Sequence, residues 1–369
     1  MITFFIIASF CTLIYIILLM YISRGNKVQY VPDKMMVSME EKAKLGVSII
    51  IPVRNEEGNI LDCLNSLSQQ DVQKNLFEVI IVNDHSTDNT LHELSRYKGD
   101  LNVAIYHLEN EKGKKAALEL GIQNATSNLV LTTDADCIYP EGWVRNMLLY
   151  YRQYKDYLIA GPVYFIAPAS IWQSMLYHEQ LLINGMARST INLQKPLMCS
   201  GANLMFEKQA FEEVGGYAFG REIASGDDVF LLHSMHKKFK HRIGFNNLLN
   251  SHVSTKYPES FKAFLFQRLR WAGKTIKVHS SFVWLVGLTT ILVNSIFIAN
   301  CILSYYSSLY IILLILKVFV DIWFFYRVRG KNKTSFFMVV LLSIFYPLYS
   351  VLFASISPFI SSSWKGRPG

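Results

Sequence analysis

Four long apolar stretches constrain this chain more than any other feature of its sequence. They cover residues 3–22, 281–305, 309–326 and 335–360 of a 369-residue chain. Each one is long enough to cross a lipid bilayer. The more polar part between the first two has room for one domain of about 200–250 residues. The sequence therefore predicts a membrane-anchored domain with one N-terminal and about three C-terminal transmembrane helices.

The first apolar stretch is interpreted as an anchor at residues 1–23 rather than as a cleaved signal peptide. It lacks a basic N-terminal region and a small-residue cleavage site. Arg24 and Lys27 follow it directly. Basic residues after a retained apolar segment are typical of a membrane anchor whose following domain stays in the cytoplasm.

The formal net charge of +8 is explained by membrane topology. Basic residues gather after the first and third apolar stretches, within residues 24–44 and 327–333. This is the positive-inside pattern, so no nucleic-acid partner is needed to account for it. The pattern places residues 23–280 in the cytoplasm, at a bacterial inner membrane. The fourth stretch then either ends outside or turns back as a re-entrant hairpin at Pro347.

Patterns of buried strands and helices alternate between the anchors. Runs rich in β-branched residues begin at Val47, Phe77, Asn102 and Asn128. Unbroken apolar runs of this length indicate strands that are buried on both faces. Their alternation with helical segments indicates βαβ units and a parallel sheet, hence an α/β fold.

Acidic residues follow three of these predicted strands. Glu56 comes after the first strand, Asp84 after the second, and Asp134 and Asp136 end the fourth, which is predicted over residues 128–136. The carboxyl ends of parallel strands meet at one edge of a sheet, where α/β proteins bind ligands. Asp84 is predicted to accept hydrogen bonds from a base or a ribose. The chain has neither GxGxxG after the first strand nor GxxxxGK[ST], so phosphate must be held by other means.

The Asp134-Ala135-Asp136 turn predicts a divalent-cation site. Mg²⁺ and Mn²⁺ typically bind one or two carboxylates together with substrate phosphates. Two aspartates one residue apart are a weak signal alone, but their position after a buried strand makes the signal specific. We therefore expect Asp134 and Asp136 to hold Mg²⁺ or Mn²⁺.

Other polar residues allow two interpretations from the sequence. Lys114 opens a predicted helix, where it either contacts a phosphate or is an exposed first-turn lysine. Asp227 and Asp228 precede an apolar helical run, so they either cap that helix or supply a general base. Asp88, in HSTDNT, is interpreted as a helix N-cap.

The sequence QRLRW lies shortly before the second apolar stretch. On a helix, Gln267, Arg270 and Trp271 fall on one face, because residues three and four positions apart stack together. An amide, a guanidinium and an indole on one face favour an anionic, sugar-bearing ligand. The surrounding segment also has the composition of an interfacial amphipathic helix. We expect Phe264 and Arg268 to face that interface, together with Leu265.

Seven motifs in this order resemble the family 2 glycosyltransferases of GT-A fold. They are IIPVRNEE, IVNDHSTD, GKKAAL, TTDAD, GANLMF, SGDD and QRLRW. The chain is most similar to the membrane-embedded branch with cellulose, chitin and hyaluronan synthases and lipid glycosyltransferases, over about residues 46–275. The resemblance implies a cytoplasmic GT-A (Rossmann-like) nucleotide-sugar domain at 46–255, an interfacial helix at 256–279 and a transmembrane region at 281–360.

The resemblance also implies an inverting transfer from a nucleotide sugar, with a UDP-sugar as the expected donor. It implies a donor side formed by Pro52, Glu56, Asp84, Lys114, Asp134 and Asp136. Asp228 matches the catalytic base of the family. The acceptor and diphosphate side is implied to contain Asp227, Gln267, Arg270 and Trp271. The family often has Glu-Asp where this chain has Asp227-Asp228, so the acceptor-orienting role of the shorter Asp227 side chain is in question.

Several functions fit these motifs. The leading prediction is transfer of one or a few sugars to a lipid-linked or glycan acceptor at the membrane. A processive polysaccharide synthase is the alternative, because QxxRW is associated with processive members, but about four spans leave little material for a polymer channel. A non-catalytic nucleotide-sugar-binding subunit would lack the carboxylates that are present here. A nucleotidyltransferase gives no reason for QRLRW.

Overall fold

The computed structural model describes residues 1–27, 46–221, 223, 226–357, 363–364 and 367–368, without the side chains of 274–276, 363–364 and 367–368. The chain divides into two compact units. The sheet unit comprises Val28–Ile166, Met198–Tyr257 and Ser363–Gly369. The helical unit comprises Met1–Lys27, Ala167–Leu197 and Pro258–Ser362. Each unit is therefore assembled from separate segments of the sequence.

Most strands of the sheet unit lie in one large mixed sheet. The strands are β1 Val47–Val53, β2 Phe77–Asn83, β3 Val103–His107, β4 Leu129–Thr132, β5 Cys137–Ile138, β6 Leu158–Ala160, β7 Val163–Phe165, β8 Leu204–Glu207, β9 Ile243–Phe245, β10 Val253–Thr255, β11 Ser363–Trp364 and β12 Arg367–Pro368. Seven of them pair in the order β3-β2-β1-β4-β8-β6-β9, with β5-β10-β7 as a second, small sheet. The first four strands pair in parallel, and β8 is antiparallel to both β4 and β6.

Helices follow the strands in the sheet unit and dominate the other unit. The sheet unit contains α2 Ile60–Ser68, α3 Thr90–Arg96, α4 Lys114–Asn124, α5 Trp143–Tyr154, α7 Lys208–Glu213 and α8 Asp227–Lys238. The helical unit contains α1 Ile2–Ser23, α6 Ile171–Asn192, α9 Phe261–Ile276, α10 Ser281–Leu303, α11 Leu309–Val328 and α12 Phe336–Ile356. The predicted α/β fold with one apolar helix before it and three after it is confirmed.

The predicted parallel strands are confirmed, with one difference in length. All seven residues of β1 are buried, as a strand covered on both faces requires. The strand predicted over residues 128–136 ends at Thr132, which is the last residue paired with β8. Thr133 still donates its N–H to the Ile50 carbonyl at 3.2 Å, but its hydroxyl bonds the Ala202 carbonyl. Residues 134–136 therefore leave the sheet as a turn, which carries both aspartates away from the strand pairing.

Within the described part of the helical unit, the helices α1, α10, α11 and α12 are long and apolar enough to cross a membrane. Contacts between these helices show which of their ends lie next to each other. The Tyr310 hydroxyl donates to the Met1 carbonyl at 3.0 Å, which joins the start of α11 to the start of α1. Asn26 bonds the Arg327 carbonyl, and Tyr21 packs on Phe282. The basic residues after α1 and α11 consequently lie at one end of this unit.

The alternative that Pro347 makes a re-entrant hairpin is wrong, because α12 continues through it. Proline has no N–H to donate to the carbonyl four residues earlier. That carbonyl belongs to Ser343, and it accepts a hydrogen bond from Lys317 at 3.2 Å. Lys317 also pairs with Asp321 at 2.6 Å, which accepts from Tyr15 at 2.8 Å. The charges that interrupt the third apolar stretch therefore join α11 to α12 and α1.

Candidate active site

Asp84 joins three segments at the carboxyl ends of the parallel strands. Its carboxylate is fully buried and accepts hydrogen bonds from Gly113 N–H and from His85, both at 3.1 Å. The Arg54 side chain, after β1, donates to the Asp84 carbonyl at 3.1 Å. Gly113 has φ +103°, a conformation that favours glycine. Asp84 thus fixes the start of α4, where Lys114 is the first helical residue.

Lys114 lies among carboxylates and is only 16% exposed. Its ammonium group donates to Asp134 Oδ1 at 2.5 Å. Burial alone would lower the pKa of Lys114, but the charges of Asp134, Asp227 and Asp228 outweigh it and raise that pKa well above its ordinary value. The interpretation as an exposed first-turn lysine is therefore wrong, because the side chain points into a negatively charged recess.

Asp227 and Asp228 begin α8 and approach the same recess. Asp227 is buried, and Asp228 accepts hydrogen bonds from Gly201 N–H at 3.2 Å and from Val229 N–H at 2.8 Å. A Cβ atom on Gly201 would lie 3.2 Å from Asp227 Oδ2 and 3.9 Å from Lys114 Nζ. The Asp228 carboxylate therefore bonds its own helix start and reaches across to a glycine of another segment.

Two residues of this recess were not singled out from the sequence. Gly201 lies within the GANLMF motif, and its close approach to both aspartates appears only in three dimensions. Tyr217 is buried beside them: burial and the negative charges of Asp227 and Asp228 raise its pKa well above the ordinary value. No local pattern marks a tyrosine for such a position, so no sequence signal identifies Tyr217.

The turn that carries Asp134 and Asp136 is held from below by Tyr139. The Tyr139 hydroxyl lies 2.8 Å from Thr133 Oγ1 and donates to the Asp134 carbonyl at 3.3 Å. Its ring stacks on the buried Trp143 with centroids 4.3 Å apart. Asp136 accepts a hydrogen bond from Thr255 of β10 at 3.3 Å. Both aspartates consequently lie on a braced turn rather than on a free loop.

The donor set at this turn fits a hard divalent cation bound together with phosphates. Among the residues that the structure describes, no group of three or more His, Cys, Asp or Glu side chains could hold a metal ion. Asp134 and Asp136 supply carboxylate oxygens, and Mg²⁺ commonly takes one or two of these plus substrate phosphates. Asp134 already pairs with the Lys114 ammonium, which shows that this position stabilises positive charge.

The residues implied near the first strand have structural partners. Pro52 is buried in β1, opposite Val82 of β2. Glu56 N–H donates to Thr90 at 2.7 Å, and its carboxylate accepts from Asn59 at 2.8 Å. Asn59 is the N-cap of α2, so Glu56 helps to define where that helix begins. The N-cap of α3 is Asn89, so the prediction that Asp88 is the N-cap is wrong by one residue; Asp88 nevertheless accepts a hydrogen bond from Thr90 N–H, in the first turn, at 3.1 Å.

The remaining predicted residues lie on α9 in the helical unit. Gln267, Arg270 and Trp271 are half-buried there. The prediction that Phe264 and Arg268 face a membrane interface is wrong, because they are 3% and 5% exposed within the protein. Arg268 instead pairs with Glu179 of α6. Because a buried charge needs a partner, this pair turns the Arg268 side of α9 toward the protein.

The sequence of this chain is similar to that of known glycosyltransferases. Residues 48–215 match the family model described as glycosyl transferase family 2. The poly(ribitol-phosphate) β-N-acetylglucosaminyltransferase TarS of Staphylococcus aureus (strain Mu50) is 39% identical over 90 residues, 24% of this chain and 16% of TarS. The glycosyltransferase AglE of Haloferax volcanii is 29% identical over 185 residues, 50% of this chain and 59% of AglE. The chain thus spans less than two thirds of either relative.

A solved structure shows the same fold. The mannosyltransferase PcManGT from Pyrobaculum calidifontis, in complex with GDP-Man and Mn²⁺, superposes with a TM-score of 0.57 at 16% identity. The match covers 96% of each chain. Together with the family match, it confirms the resemblance seen in the sequence. Residues 48–215 therefore form a family 2 glycosyltransferase domain, and the fold is of the GT-A type.

Proposed function

We propose that this protein is an inverting membrane glycosyltransferase. It moves a sugar from a nucleotide-sugar donor, expected to be a UDP-sugar, to a lipid-linked or glycan acceptor in one or a few transfers. The observation that carries the proposal is the convergence of Lys114, Asp227 and Asp228 at Gly201, with Asp134 bonded to Lys114. Displacement of a diphosphate requires a general base, a positive charge near the leaving group and carboxylates that can hold a metal ion, and these groups are present here.

Asp228 is the proposed general base. Two backbone N–H groups orient its carboxylate, which fits a group that must accept a proton in one direction. The acceptor oxygen attacks the anomeric carbon opposite the diphosphate and forms the glycosidic bond. The bond to the diphosphate oxygen breaks, its electron pair stays on that oxygen, and the acceptor proton passes to Asp228. The sugar is therefore transferred with inversion.

Lys114 is proposed to stabilise the leaving diphosphate. Its ammonium group is charged at neutral pH and is largely withdrawn from water, so its effect on a developing anion is strong. Asp134 and Asp136 would hold Mg²⁺ or Mn²⁺. A divalent cation held there would neutralise the negative charge of the diphosphate. Pro52, Glu56 and Asp84 complete the proposed donor side, while Asp227, Gln267, Arg270 and Trp271 are assigned to the acceptor and diphosphate side.

The proposed orientation places the sheet unit in the cytoplasm. Support comes from the basic residues after α1 and α11, which lie at one end of the helical unit. The positive-inside rule makes that end cytoplasmic. Nucleotide sugars would then be drawn from the cytoplasm of a bacterial cell, and the acceptor from its inner membrane.

Replacement of Asp228 by Asn tests the assignment. We expect Asp228→Asn to lower sugar transfer by about 10²–10⁴-fold, because the amide cannot accept the proton. Donor binding, measured by calorimetry on the full chain in nanodiscs with a panel of UDP- and GDP-sugars, should stay close to wild type. Asp100→Asn is the matched control, since Asp100 has 66% side-chain exposure and lies outside the recess. Transfer by Asp228→Asn at near wild-type rate would refute the base assignment.

A further inference from the structure

We propose that Lys115 is a positioning residue for the general base Asp228, an inference that rests on the proposed function. Lys115 is the second residue of α4. Its ammonium group donates to the carbonyls of Gly220 and Ile223, the second at 2.8 Å. Both carbonyls belong to the α7–α8 segment, residues 214–226, which leads directly into the helix that begins with the two aspartates.

The surroundings of Lys115 differ from those of an ordinary surface lysine. The residue is only 9% exposed, and its ammonium group lies 5.4 Å from the centroid of the Phe230 ring. Loss of water around an ammonium group is costly unless other groups take the place of the water. Two backbone carbonyls and an aromatic face do so here. This compensation lasts only while the α7–α8 segment stays against α4, so the lysine and the segment hold each other in place.

The α7–α8 segment also packs on the first turn of α8. Gly220 has φ +77°, and a Cβ atom there would lie 2.5 Å from the Phe230 ring, so this close approach requires glycine. Phe219 packs edge-on against the same ring, with centroids 5.4 Å apart. Phe230 N–H in turn donates to the Gly226 carbonyl at 2.9 Å. Lys115 therefore fastens a turn that lies directly against the part of α8 that carries the base.

The two adjacent lysines of α4 have different tasks. Successive residues of a helix point about 100° apart, because there are 3.6 residues in each turn. Lys114 donates to Asp134 in the recess, whereas Lys115 donates to the α7–α8 segment. Gly201 N–H holds Asp228 from another side, at 3.2 Å. Lys115 thus acts through the position of Asp228 and not on the reacting atoms.

A lysine at the other end of α4 provides a matched control. Lys208 donates to the carbonyls of Gln123 and Ala125, at 3.3 and 3.0 Å. These carbonyls belong to the end of α4, opposite to the end that carries Lys115. Lys208→Met therefore removes the same kind of ammonium–carbonyl bonds as Lys115→Met, but away from the segment that leads to the base.

The first test is the transfer rate of the full chain in nanodiscs, with a panel of UDP- and GDP-sugars, Mn²⁺ and a bacterial lipid extract as acceptor. We expect Lys115→Met to lower kcat by about 10–100-fold, because a small displacement of a reacting group has an effect of that size. KM for the donor should stay unchanged, and Lys208→Met should change neither constant. A normal kcat in Lys115→Met, or an equal loss in Lys208→Met, would overturn the proposal.

A second variant separates positioning from folding. Gly220→Ala keeps Lys115 but forces the turn away from Phe230, so it should lower kcat in the same way. Donor binding, measured by calorimetry, should persist in Gly220→Ala and in Lys115→Met. Loss of donor binding in both variants would overturn the proposal, because the segment would then support the fold of the whole domain.

A double variant tests whether Lys115 acts through Asp228. In an Asp228→Asn background, Lys115→Met should lower transfer by less than about twofold, because the group that it positions is already gone. Losses that multiply would mean that Lys115 acts independently of Asp228, and they would overturn the proposal.

Hydrogen exchange gives a readout that does not require sugar transfer. In Lys115→Met, the amides of Ile223 and Phe230 should exchange about tenfold faster, and in Lys208→Met they should not change. Unchanged exchange in Lys115→Met would overturn the proposed contact. If the wild type transfers no sugar from any donor, the proposed function fails and the positioning role fails with it. If the wild type and Lys115→Met transfer equally well, only the positioning role fails.

Discussion

At the residue scale, burial changes the properties of ionisable side chains in ways that their neighbours along the chain do not indicate. Lys114 keeps its charge because three aspartates face it. Asp156 is the opposite case. Burial raises its pKa to about 6, although Arg242 and the Tyr150 hydroxyl act to lower it. Loss of water disfavours the charged form at both residues. Neighbouring opposite charges outweigh this effect at Lys114, whereas they do not outweigh it at Asp156.

Asp156 leads to a prediction about pH. The folded state holds the Asp156 proton up to about pH 6, whereas the unfolded chain releases it near the ordinary value of 3.8. Between those pH values the folded state binds more protons, so the free energy of unfolding falls as pH rises. Above about pH 6, Asp156 is ionised in the folded state, and the free energy of unfolding is lowered by the full cost of its buried charge. Asp156→Asn should therefore stabilise the protein by on the order of 1–2 kcal/mol at pH 7, after allowance for partial exposure.

Thermal unfolding between pH 4 and pH 7 checks this effect, and the gain should shrink as pH falls toward the ordinary aspartate pKa of about 3.9. The exposed Asp100→Asn variant should show no such trend, because Asp100 has 66% side-chain exposure. A stability difference for Asp156→Asn that is the same at both ends of the range would contradict the explanation.

At the element scale, the ion pair between α6 and α9 sets the orientation of the helix that carries QRLRW. Arg268 lies 4.2 Å over the Trp271 ring and 5.1 Å over Phe264, while Glu179 of α6 holds its guanidinium. The pair fixes which residues of α9 turn toward the protein. Gln267, Arg270 and Trp271 thereby keep their half-buried positions.

Removal of one partner of this pair should be costly. Glu179→Gln leaves the buried Arg268 without a counter-charge, and we expect a loss of about 3–5 kcal/mol in the free energy of unfolding. Glu179→Leu combined with Arg268→Met should recover most of it, because well-packed apolar residues replace buried ion pairs at little cost. A double-mutant cycle by denaturant unfolding in detergent measures both. Additive losses in the double variant would mean that the two side chains do not interact energetically.

At the scale of the whole molecule, the ends of the apolar helices alternate between two sides. The starts of α1 and α11 lie together, and Asn26, three residues after α1, donates to the Arg327 carbonyl near the end of α11. Basic residues occupy the second of these sides, and the segment between α10 and α11 (SYYSS, residues 304–308) is uncharged. The α12 helix continues through Pro347 and is long enough to cross a bilayer, so we expect its last residues on the side opposite to the basic loop.

Cysteine labelling tests this arrangement. In a chain with its five native cysteines replaced, Ser308→Cys and Ser355→Cys should react with a membrane-impermeant maleimide in intact cells. Lys331→Cys, in the basic loop, should react only after permeabilisation, because the positive-inside rule places it in the cytoplasm. Labelling of Ser355→Cys together with Lys331→Cys, and apart from Ser308→Cys, would mean that α12 does not cross the membrane.

The sequence by itself determined the features that depend on local periodicity. Runs rich in β-branched residues identified β1, β2 and β3 almost to the residue. The strands β1 and β2 are buried as expected, whereas β3, at the edge of the sheet, is partly exposed. Four apolar stretches identified the long apolar helices of the described chain, because about twenty apolar residues are the length that a helix needs to span a bilayer. The order of the motifs indicated the family that the later comparisons confirmed.

Only the tertiary structure decided which side chains meet. Gly201 approaches Asp227 and Asp228 from a segment more than twenty residues away, and Glu179 meets Arg268 from another helix. Lys317 donates to the Ser343 carbonyl, which Pro347 leaves without a backbone donor, and α12 is a continuous helix where a hairpin was one of two alternatives. Buried charges and missing backbone donors must find partners wherever the fold brings them. A local pattern records the need for such a partner but not its identity.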